Sequence, residues 1–148
     1  MPHIRVRARV PAERQRVWAA LRDIASHVEW MDDALAIEFL TPKTEGVGTE
    51  FTCLTKVGPI QLNDHMTVTE WVEGTSVGIS HRGVVSGTGR LSVKRRGRAG
   101  STVTWDERLS FPWWLGGPLG GLVGRPVLTR VWKRNLANLA GRFNTGAA

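Results

Sequence analysis

The sequence contains little cysteine and no long hydrophobic run. Cys53 is its one cysteine, which excludes a disulfide framework and a cysteine-rich zinc site. The longest uncharged run, residues 109–124, is interrupted by two prolines and several glycines and is too short to span a bilayer. The first five residues, MPHIR, lack the apolar core of a signal peptide, so we expect a cytoplasmic protein.

The sequence also lacks internal repeats, low-complexity segments and an interdomain linker. A chain of 148 residues fits one domain, since domains usually contain about 100–200 residues. Hydrophobic residues make up 41% and charged residues 22% of the chain, which is typical of a globular protein and excludes a disordered tail or a coiled coil. We therefore expect residues 1–148 to form a single domain that buries a core without a metal or disulfide.

Acidic residues are fewer than basic ones. The 20 Lys and Arg residues against 13 Asp and Glu residues give a formal net charge of +7, a value that invites a nucleic-acid interpretation. The basic residues are spread over a strand-like run, a turn near residues 94–98 and a C-terminal helical pattern, and no helix-turn-helix, zinc-finger or RNA-binding motif accompanies them. We therefore expect a basic solvated surface and no nucleic-acid partner.

Hydrophobic periodicity predicts an α+β fold. Period-two alternation predicts a first strand at residues 4–10 and about six consecutive strands from residue 35 to residue 111. Leu35, Ile37 and Phe39 form the alternating set of the first of these, and Gly83 is interpreted as a bulge. Helical signals predict a short helix opening at residues 11–14, a second short helix or a turn over residues 23–30, and a terminal helix of roughly 20–25 residues that begins near Pro118.

These elements predict a sheet folded around a helix. Consecutive strands with short turns favour an antiparallel sheet, and the apolar face of that sheet needs a cover. The final helix is the only predicted element long enough to provide it. We therefore expect a seven-stranded curved sheet around the C-terminal helix, filled by apolar side chains at one end and hollow at the other.

Four stretches of the sequence resemble a known superfamily. They are residues 10–18 (VPAERQRVW), 27–31 (HVEWM), 68–74 (VTEWVEG) and 102–105 (TVTW), in that order. The chain resembles the START-like, Bet v 1-like (SRPBCC) superfamily, and within it the bacterial polyketide cyclase/dehydrase and lipid-transport group. The resemblance implies a helix-grip fold around a ligand cavity. It does not imply one chemistry, because this fold serves allergens, lipid carriers, cyclases and stress-signal receptors.

Strand parity places Glu107 on the same face as Trp105, toward the terminal helix. An isolated buried carboxylate has a raised pKa, which suits it to proton transfer. The alternative is a carboxylate near the open end of the strand that is solvated or paired with Arg90 or Arg108. Glu107 is therefore a candidate catalytic and ligand-binding residue.

His81 and Asp64 share the parity of apolar neighbours and are also candidates for the inner face. A neutral imidazole there can bind a ligand carbonyl or act as a base, and the alternative is a capped histidine at a strand end. With Glu107, they would form an acid–base set for enolisation or dehydration, as in a cyclase. No fixed spacing motif accompanies the three residues.

We expect the cavity lining to combine apolar, aromatic and polar side chains. The predicted ligand-binding residues are Trp30, Met31, Phe51, Cys53, Met66, Ile79, His81, Trp105, Glu107, Trp113, Trp114, Leu122 and Pro126. Cys53 is interpreted as a small buried hydrophobic residue, because no oxyanion motif accompanies it.

Tryptophan is abundant, with seven residues against no tyrosine. Trp18 and Trp132 fit helix packing. The Gly-rich segment at residues 113–124 has three interpretations: a lid over the cavity, a weak contact with a membrane surface, or a packed loop that leads into the helix.

Metal and cofactor signals are weak. His27, Glu29, Asp32 and Asp33 form the one local cluster, without the spacing of a metal-binding helix, and the glycines at 46 and 48 are not followed by the Lys-Ser/Thr of a phosphate-binding loop. We therefore expect no metal and no cofactor. The leading hypothesis is a protein that binds a lipid, a polyketide-like molecule or an isoprenoid in its cavity, and the alternative is a cyclase or dehydratase that uses the acid–base residues.

Overall fold

The computed structural model describes residues 3–117 and 120–144. Its elements are β1 (His3–Val10), α1 (Arg14–Arg22), a 3₁₀ helix (Ile24–Glu29), β2 (Ala34–Phe39), β3 (Glu50–Val57), β4 (Ile60–Val72), β5 (Ser76–Arg82), β6 (Ser86–Arg96), β7 (Gly100–Ser110), a 3₁₀ turn (Trp113–Leu115) and α2 (Gly120–Asn144). This order confirms the predicted α+β class, with short helices after the first strand and a long helix at the C-terminus.

The strands form one antiparallel sheet in the order β1-β7-β6-β5-β4-β3-β2. Strands β3 to β7 follow one another through connections of two or three residues, and a longer segment, residues 40–49, joins β2 to β3; each of these strands pairs with its neighbour in sequence. Strand β1 joins the far edge by pairing with β7, with Val6 opposite Trp105 and Ile4 opposite Glu107. Helix α2 packs against β1 and covers the inner face of the sheet.

Alternation along the strands separates the two faces of the sheet. In β1, Ile4 and Val6 are buried, whereas Arg5 and Arg7 between and after them are exposed. On α2, Leu136 and Leu139 are fully buried against the inner face. Burying a leucine contributes about 1.5–3 kcal/mol, so the stripe on α2 fixes the helix to the sheet through the hydrophobic effect.

The structure corrects three details of the predicted elements. Helix α1 begins at Arg14, so the proline at 11 precedes the helix instead of lying in its first turn. Leu35 is exposed, because a register shift between Ala34 and Ala36 turns it away from the core. Gly83 lies in the turn between β5 and β6 and is not a bulge. The predicted start of the long helix, Pro118, lies outside the described residues.

Candidate functional site

Three ionisable side chains from three strands meet on the inner face of the sheet. Strand β5 carries His81 and β7 carries Glu107; the His81 Nε2 and Glu107 Oε2 atoms are 3.2 Å apart, and their side chains are 8% and 14% exposed. The Trp105 indole N–H donates to Glu107 Oε1 at 3.0 Å. Asp64 on β4 is buried, which agrees with the predicted inward orientation. We call Asp64, His81 and Glu107 the acidic–histidine cluster.

The position of Glu107 rules out its alternative interpretation as a surface carboxylate. Arg90, one of its two candidate partners, instead donates to Glu70 Oε2 on the outer face, at 2.7 Å. Glu107 receives its hydrogen bonds from a histidine and a tryptophan that face inward.

Two glycines make room for the carboxylates of the cluster. Gly89 on β6 lies opposite Glu107, and a Cβ atom at that position would be 2.8 Å from Glu107 Oε1. A Cβ atom on Gly83 would overlap Asp64 Oδ1. Because Gly83 and Gly89 have no side chains, the carboxylates of Asp64 and Glu107 can occupy the space next to the glycine backbone.

The electrostatics of the cluster favour a protonated histidine. Burial lowers the pKa of His81, but its hydrogen bond to Glu107 and the charges of Glu107 and Asp64 outweigh burial, so the pKa is raised above its ordinary value. Burial raises the pKa of Asp64, and the charge of Glu107 adds to that effect while His81 opposes it. The site thus holds a proton donor beside a carboxyl group that gives up its proton reluctantly.

A second group of buried polar side chains lies next to the cluster. The sequence patterns did not predict it as part of the site. Asn135 of α2 is fully buried; its Nδ2 donates to Asp33 Oδ1 at 2.7 Å, and its Oδ1 accepts from the Asp32 backbone N–H at 2.9 Å. Burial raises the pKa of Asp33, and the charge of Glu107 contributes to the shift. A sequence signal exists, because Asn135 interrupts the apolar stripe of α2 next to Leu136.

Tryptophan rings surround these polar groups. Trp105 stacks on Trp132 of α2 with ring centroids 4.9 Å apart, and Trp30 meets Trp105 edge-to-face at 6.3 Å. The Trp105 ring packs against the helix, while its N–H donates a hydrogen bond to Glu107. This hydrogen bond offsets part of the cost of burying the carboxylate.

Several buried polar atoms of this region have no protein partner. They are Trp30 Nε1, Asp64 Oδ1 and His81 Nδ1, none of which forms a hydrogen bond with the described residues. The backbone of Val85 is near enough to raise the pKa of His81, but it does not complete a hydrogen bond of standard geometry with Nδ1. An unpartnered buried polar atom costs about 1–3 kcal/mol, so each one requires an explanation.

The remaining predicted ligand-binding residues divide into two groups. Buried or half-buried on the inner side are Trp30, Met31, Phe51, Cys53, Met66 and Ile79. Burial raises the pKa of the Cys53 thiol, which agrees with its interpretation as a buried hydrophobic residue.

The second group is separate from the cluster and lies on the surface. Trp113 is 86% exposed, Trp114 58% and Leu122 74%, and Pro126 on α2 is also exposed. The exposure of Trp113 and Trp114 disagrees with the interpretation of this segment as a packed loop, while residues 118 and 119 of the segment lie outside the described residues. The structure does not bring these residues together with His81 and Glu107, and their role in ligand binding stays a prediction.

His27 has a structural role. It is buried, and its Nε2 lies 2.8 Å from the Leu21 carbonyl oxygen, to which it donates as a neutral imidazole. Burial lowers the pKa of His27 to about 4, which keeps the ring neutral. Within residues 3–117 and 120–144, no group of three or more His, Cys, Asp or Glu side chains is arranged to hold a metal ion.

The outer face of the sheet is polar and basic. It holds an open depression of about 1190 Å³ whose lining includes Arg5, Arg7, Arg90 and Arg108. Asp106 partly neutralises it through contacts to His3 at 2.6 Å and Arg5 at 2.7 Å. Across the described part of the chain, no helix has the length and apolar character needed to cross a membrane.

A seven-stranded antiparallel sheet with a long C-terminal helix and short helices after β1 defines the helix-grip class of START-like and Bet v 1-like proteins. The chain belongs to the polyketide cyclase / dehydrase and lipid transport family, whose sequence profile matches residues 1–144. A search of curated proteins gives no match.

Solved structures with low sequence identity share this fold. A START superfamily protein of Mycobacterium smegmatis superposes with a TM-score of 0.78 at 11% identity, covering 97% of this chain and 97% of that one. The Zhui aromatase/cyclase of Streptomyces sp. R1128 has a TM-score of 0.69 at 16% identity, over 96% and 93% of the two chains. Ginseng major latex-like protein 151 of Panax ginseng has a TM-score of 0.74 at 8% identity, over 95% and 96%.

Proposed function

We propose that this protein binds a small hydrophobic ligand, such as a lipid, a polyketide-like molecule or an isoprenoid, in a cavity between the sheet and α2. The observation that carries the proposal is the pair of unpartnered buried atoms Asp64 Oδ1 and His81 Nδ1 on an inner face lined by tryptophan. A ligand that is mostly apolar and has one or two polar groups matches such a lining, because its hydrogen bonds satisfy atoms that the protein leaves unpaired.

The expected affinity follows from the apolar area of such a ligand. Burying about 300 Å² of apolar ligand surface at about 25 cal/mol/Å² contributes about 7 kcal/mol before the entropy of association is subtracted. That balance favours binding in the micromolar range or weaker, which suits a carrier that must also release its ligand. Membership in a family described by both cyclisation and lipid transport is compatible with this role.

The acidic–histidine cluster favours a second candidate function, a cyclase or dehydratase. The raised pKa of His81 favours its protonated form, which can donate a proton, and Asp64 or Glu107 provides an acceptor. In a dehydration, a carboxylate would take a proton from carbon while His81 protonated the departing hydroxyl, so that one water leaves the substrate. The similarity in fold to an aromatase/cyclase supports this candidate.

Native mass spectrometry of the protein purified from its own host tests the first proposal. We expect one small molecule bound per chain, removable by extraction with organic solvent. A spectrum that contains only the bare chain, before and after extraction, would count against a carrier.

The same measurement on the variants His81→Asn and Glu107→Gln separates the two candidates. If the protein only binds, all three proteins carry the same molecule at different occupancy. If it dehydrates its ligand, the wild type carries the product, and both variants carry a species that is heavier by one water.

A further inference from the structure

The net positive charge of this chain comes almost entirely from residues 108–148. All 13 acidic residues lie at or before Glu107, together with 14 of the 20 basic ones. The sequence from residue 108 onward contains no acidic residue and six basic residues, which are Arg108, Arg125, Arg130, Lys133, Arg134 and Arg142. Six of the seven net positive charges therefore come from the segment that contains α2.

The same segment also carries the large hydrophobic side chains that are most exposed among the described residues. Among the described residues, the four most exposed large hydrophobic side chains are Trp113 at 86%, Leu122 at 74%, Val123 at 73% and Trp114 at 58%. We call these four residues the tip. Its two halves adjoin, because the Gly120 N–H donates to the Gly116 carbonyl oxygen at 3.1 Å and the Phe111 ring lies against Gly124 in the first turns of α2.

Basic side chains follow the tip along the exposed side of α2. Arg125, Arg130 and Lys133 are exposed and, with Pro126 and Thr129, line a shallow groove. Arg134 and Arg142 form ion pairs with acidic residues, whereas no ion pair within residues 3–117 and 120–144 includes Arg125, Arg130 or Lys133. We call Arg125, Arg130 and Lys133 the collar.

The spacing of tip and collar fits a lipid interface. A helix rises about 1.5 Å per residue, so the seven residues from Val123 to Arg130 span about 10 Å along α2. Helices that bind a membrane surface bury their apolar side about 5–10 Å below the headgroups, and tryptophan prefers that depth. With the tip at this depth, Arg130 and Lys133 reach the level of the phosphates, and Arg125, about 3 Å from Val123 along the helix, extends its long side chain toward them.

We propose that the tip inserts into the surface of a bilayer that contains anionic lipids, and that the collar binds their phosphate groups. A bilayer with anionic lipids accounts for both features, because its apolar layer takes up the tip and its phosphate groups attract the basic side chains of the collar. A nucleic acid would use the collar and leave the tip exposed, and a second copy of this chain would bring two like-charged collars together. The inference does not depend on a ligand in the interior.

Flotation with vesicles tests the inference directly. We expect the full chain to float with vesicles of phosphatidylcholine mixed with phosphatidylglycerol and to remain behind with pure phosphatidylcholine, and its tryptophan emission to shift to the blue on binding. Each basic residue near an anionic surface contributes about fivefold in affinity, so Arg125→Gln/Arg130→Gln/Lys133→Gln should weaken binding roughly 100-fold.

Two matched variants serve as controls. Arg95→Gln/Arg96→Gln/Arg98→Gln removes the same charge from the β6–β7 turn and should weaken binding much less than the collar variant. Trp113→Ser/Trp114→Ser should abolish the blue shift, whereas Leu40→Ser/Val47→Ser, which removes two exposed hydrophobic side chains elsewhere, should leave it intact. Circular dichroism confirms that each variant folds.

Four results would overturn the inference. They are equal binding to neutral and anionic vesicles, equal losses in the two charge variants, a nucleic-acid complex that needs the collar but not the tip, and a dimer in vesicle-free solution that the tip variant dissociates. If the tip variants do not fold, insertion is measured on the wild type with vesicles of brominated lipids, which quench the emission of tryptophans that enter the bilayer. Quenching of its tryptophan emission supports insertion, and unquenched emission contradicts it.

Discussion

His81 combines burial with two acidic neighbours, and these act on its pKa in opposite directions. Burial alone would lower the pKa of His81, but its hydrogen bond to Glu107 and the charges of Glu107 and Asp64 outweigh burial and raise it. The protonated form therefore persists to a higher pH than in a free histidine, and the stabilisation from this pairing is lost as the pH rises through the raised pKa. Glu107 is the neighbour that acts through both a hydrogen bond and a charge.

The variant Glu107→Gln tests this assignment at the level of one residue. We expect the pKa of His81 to fall, because the amide keeps the shape of the carboxylate but loses its charge while burial remains. An NMR titration of the His81 ring carbon signals measures the shift. A probe ligand is not needed.

Asp106→Asn provides the matched control for this titration. Asp106 lies next to Glu107 in sequence but faces outward, where it contacts His3 at 2.6 Å. This change should leave the His81 titration curve in place. A His81 curve that is the same in wild type and Glu107→Gln would show that the cluster does not control the histidine.

At the scale of elements, the 3₁₀ helix depends on a histidine that must stay neutral. His27 links this helix to α1 through its hydrogen bond to the Leu21 carbonyl oxygen, and burial lowers its pKa to about 4. Since the unfolded chain binds a proton at His27 near pH 6.5 and the folded chain resists it, stability is present above about pH 6.5 and is lost as the pH falls toward 4.

The variant His27→Gln should remove this part of the acid sensitivity. The glutamine side chain keeps a donor for the Leu21 carbonyl oxygen but does not titrate. Urea unfolding from pH 7 to pH 4 should show that the wild type loses about 3 kcal/mol more of its free energy of unfolding than the variant does. Parallel pH profiles of the two proteins would contradict a buried neutral His27.

Strand parity predicted most of the side chains on the inner face, but it did not predict the hydrogen bonds that join distant elements. Alternation correctly placed His81, Asp64 and Glu107 inside, because a strand with one buried face fixes the direction of every side chain. It failed at Leu35, where a register shift between Ala34 and Ala36 reverses the parity. The Asn135–Asp33 contact joins residues 102 positions apart, and no local pattern encodes such a pairing.

At the scale of the whole molecule, charge and exposed apolar surface are distributed unevenly. The order of the elements predicted a curved antiparallel sheet covered by the C-terminal helix, since only one helix was long enough to cover it, and the resemblance to a known superfamily implied the helix-grip fold. Sequence also identified residues 113–124 as unusual, but it left three interpretations open. The exposure of Trp113 and Trp114 disagrees with the packed loop, and the lid and the membrane contact both remain predictions, of which vesicle binding tests the second.

The central claim is that the space between sheet and α2 admits a small apolar molecule. Titration with N-phenyl-1-naphthylamine, a neutral apolar fluorophore, tests it most directly, with energy transfer from the tryptophans of the chain as the readout. We predict saturable binding in the micromolar range that Ile79→Phe on the inner face abolishes and that Thr88→Phe on the outer face preserves. Absence of saturable binding to a folded wild-type chain, or equal binding by the two phenylalanine variants, would contradict the claim.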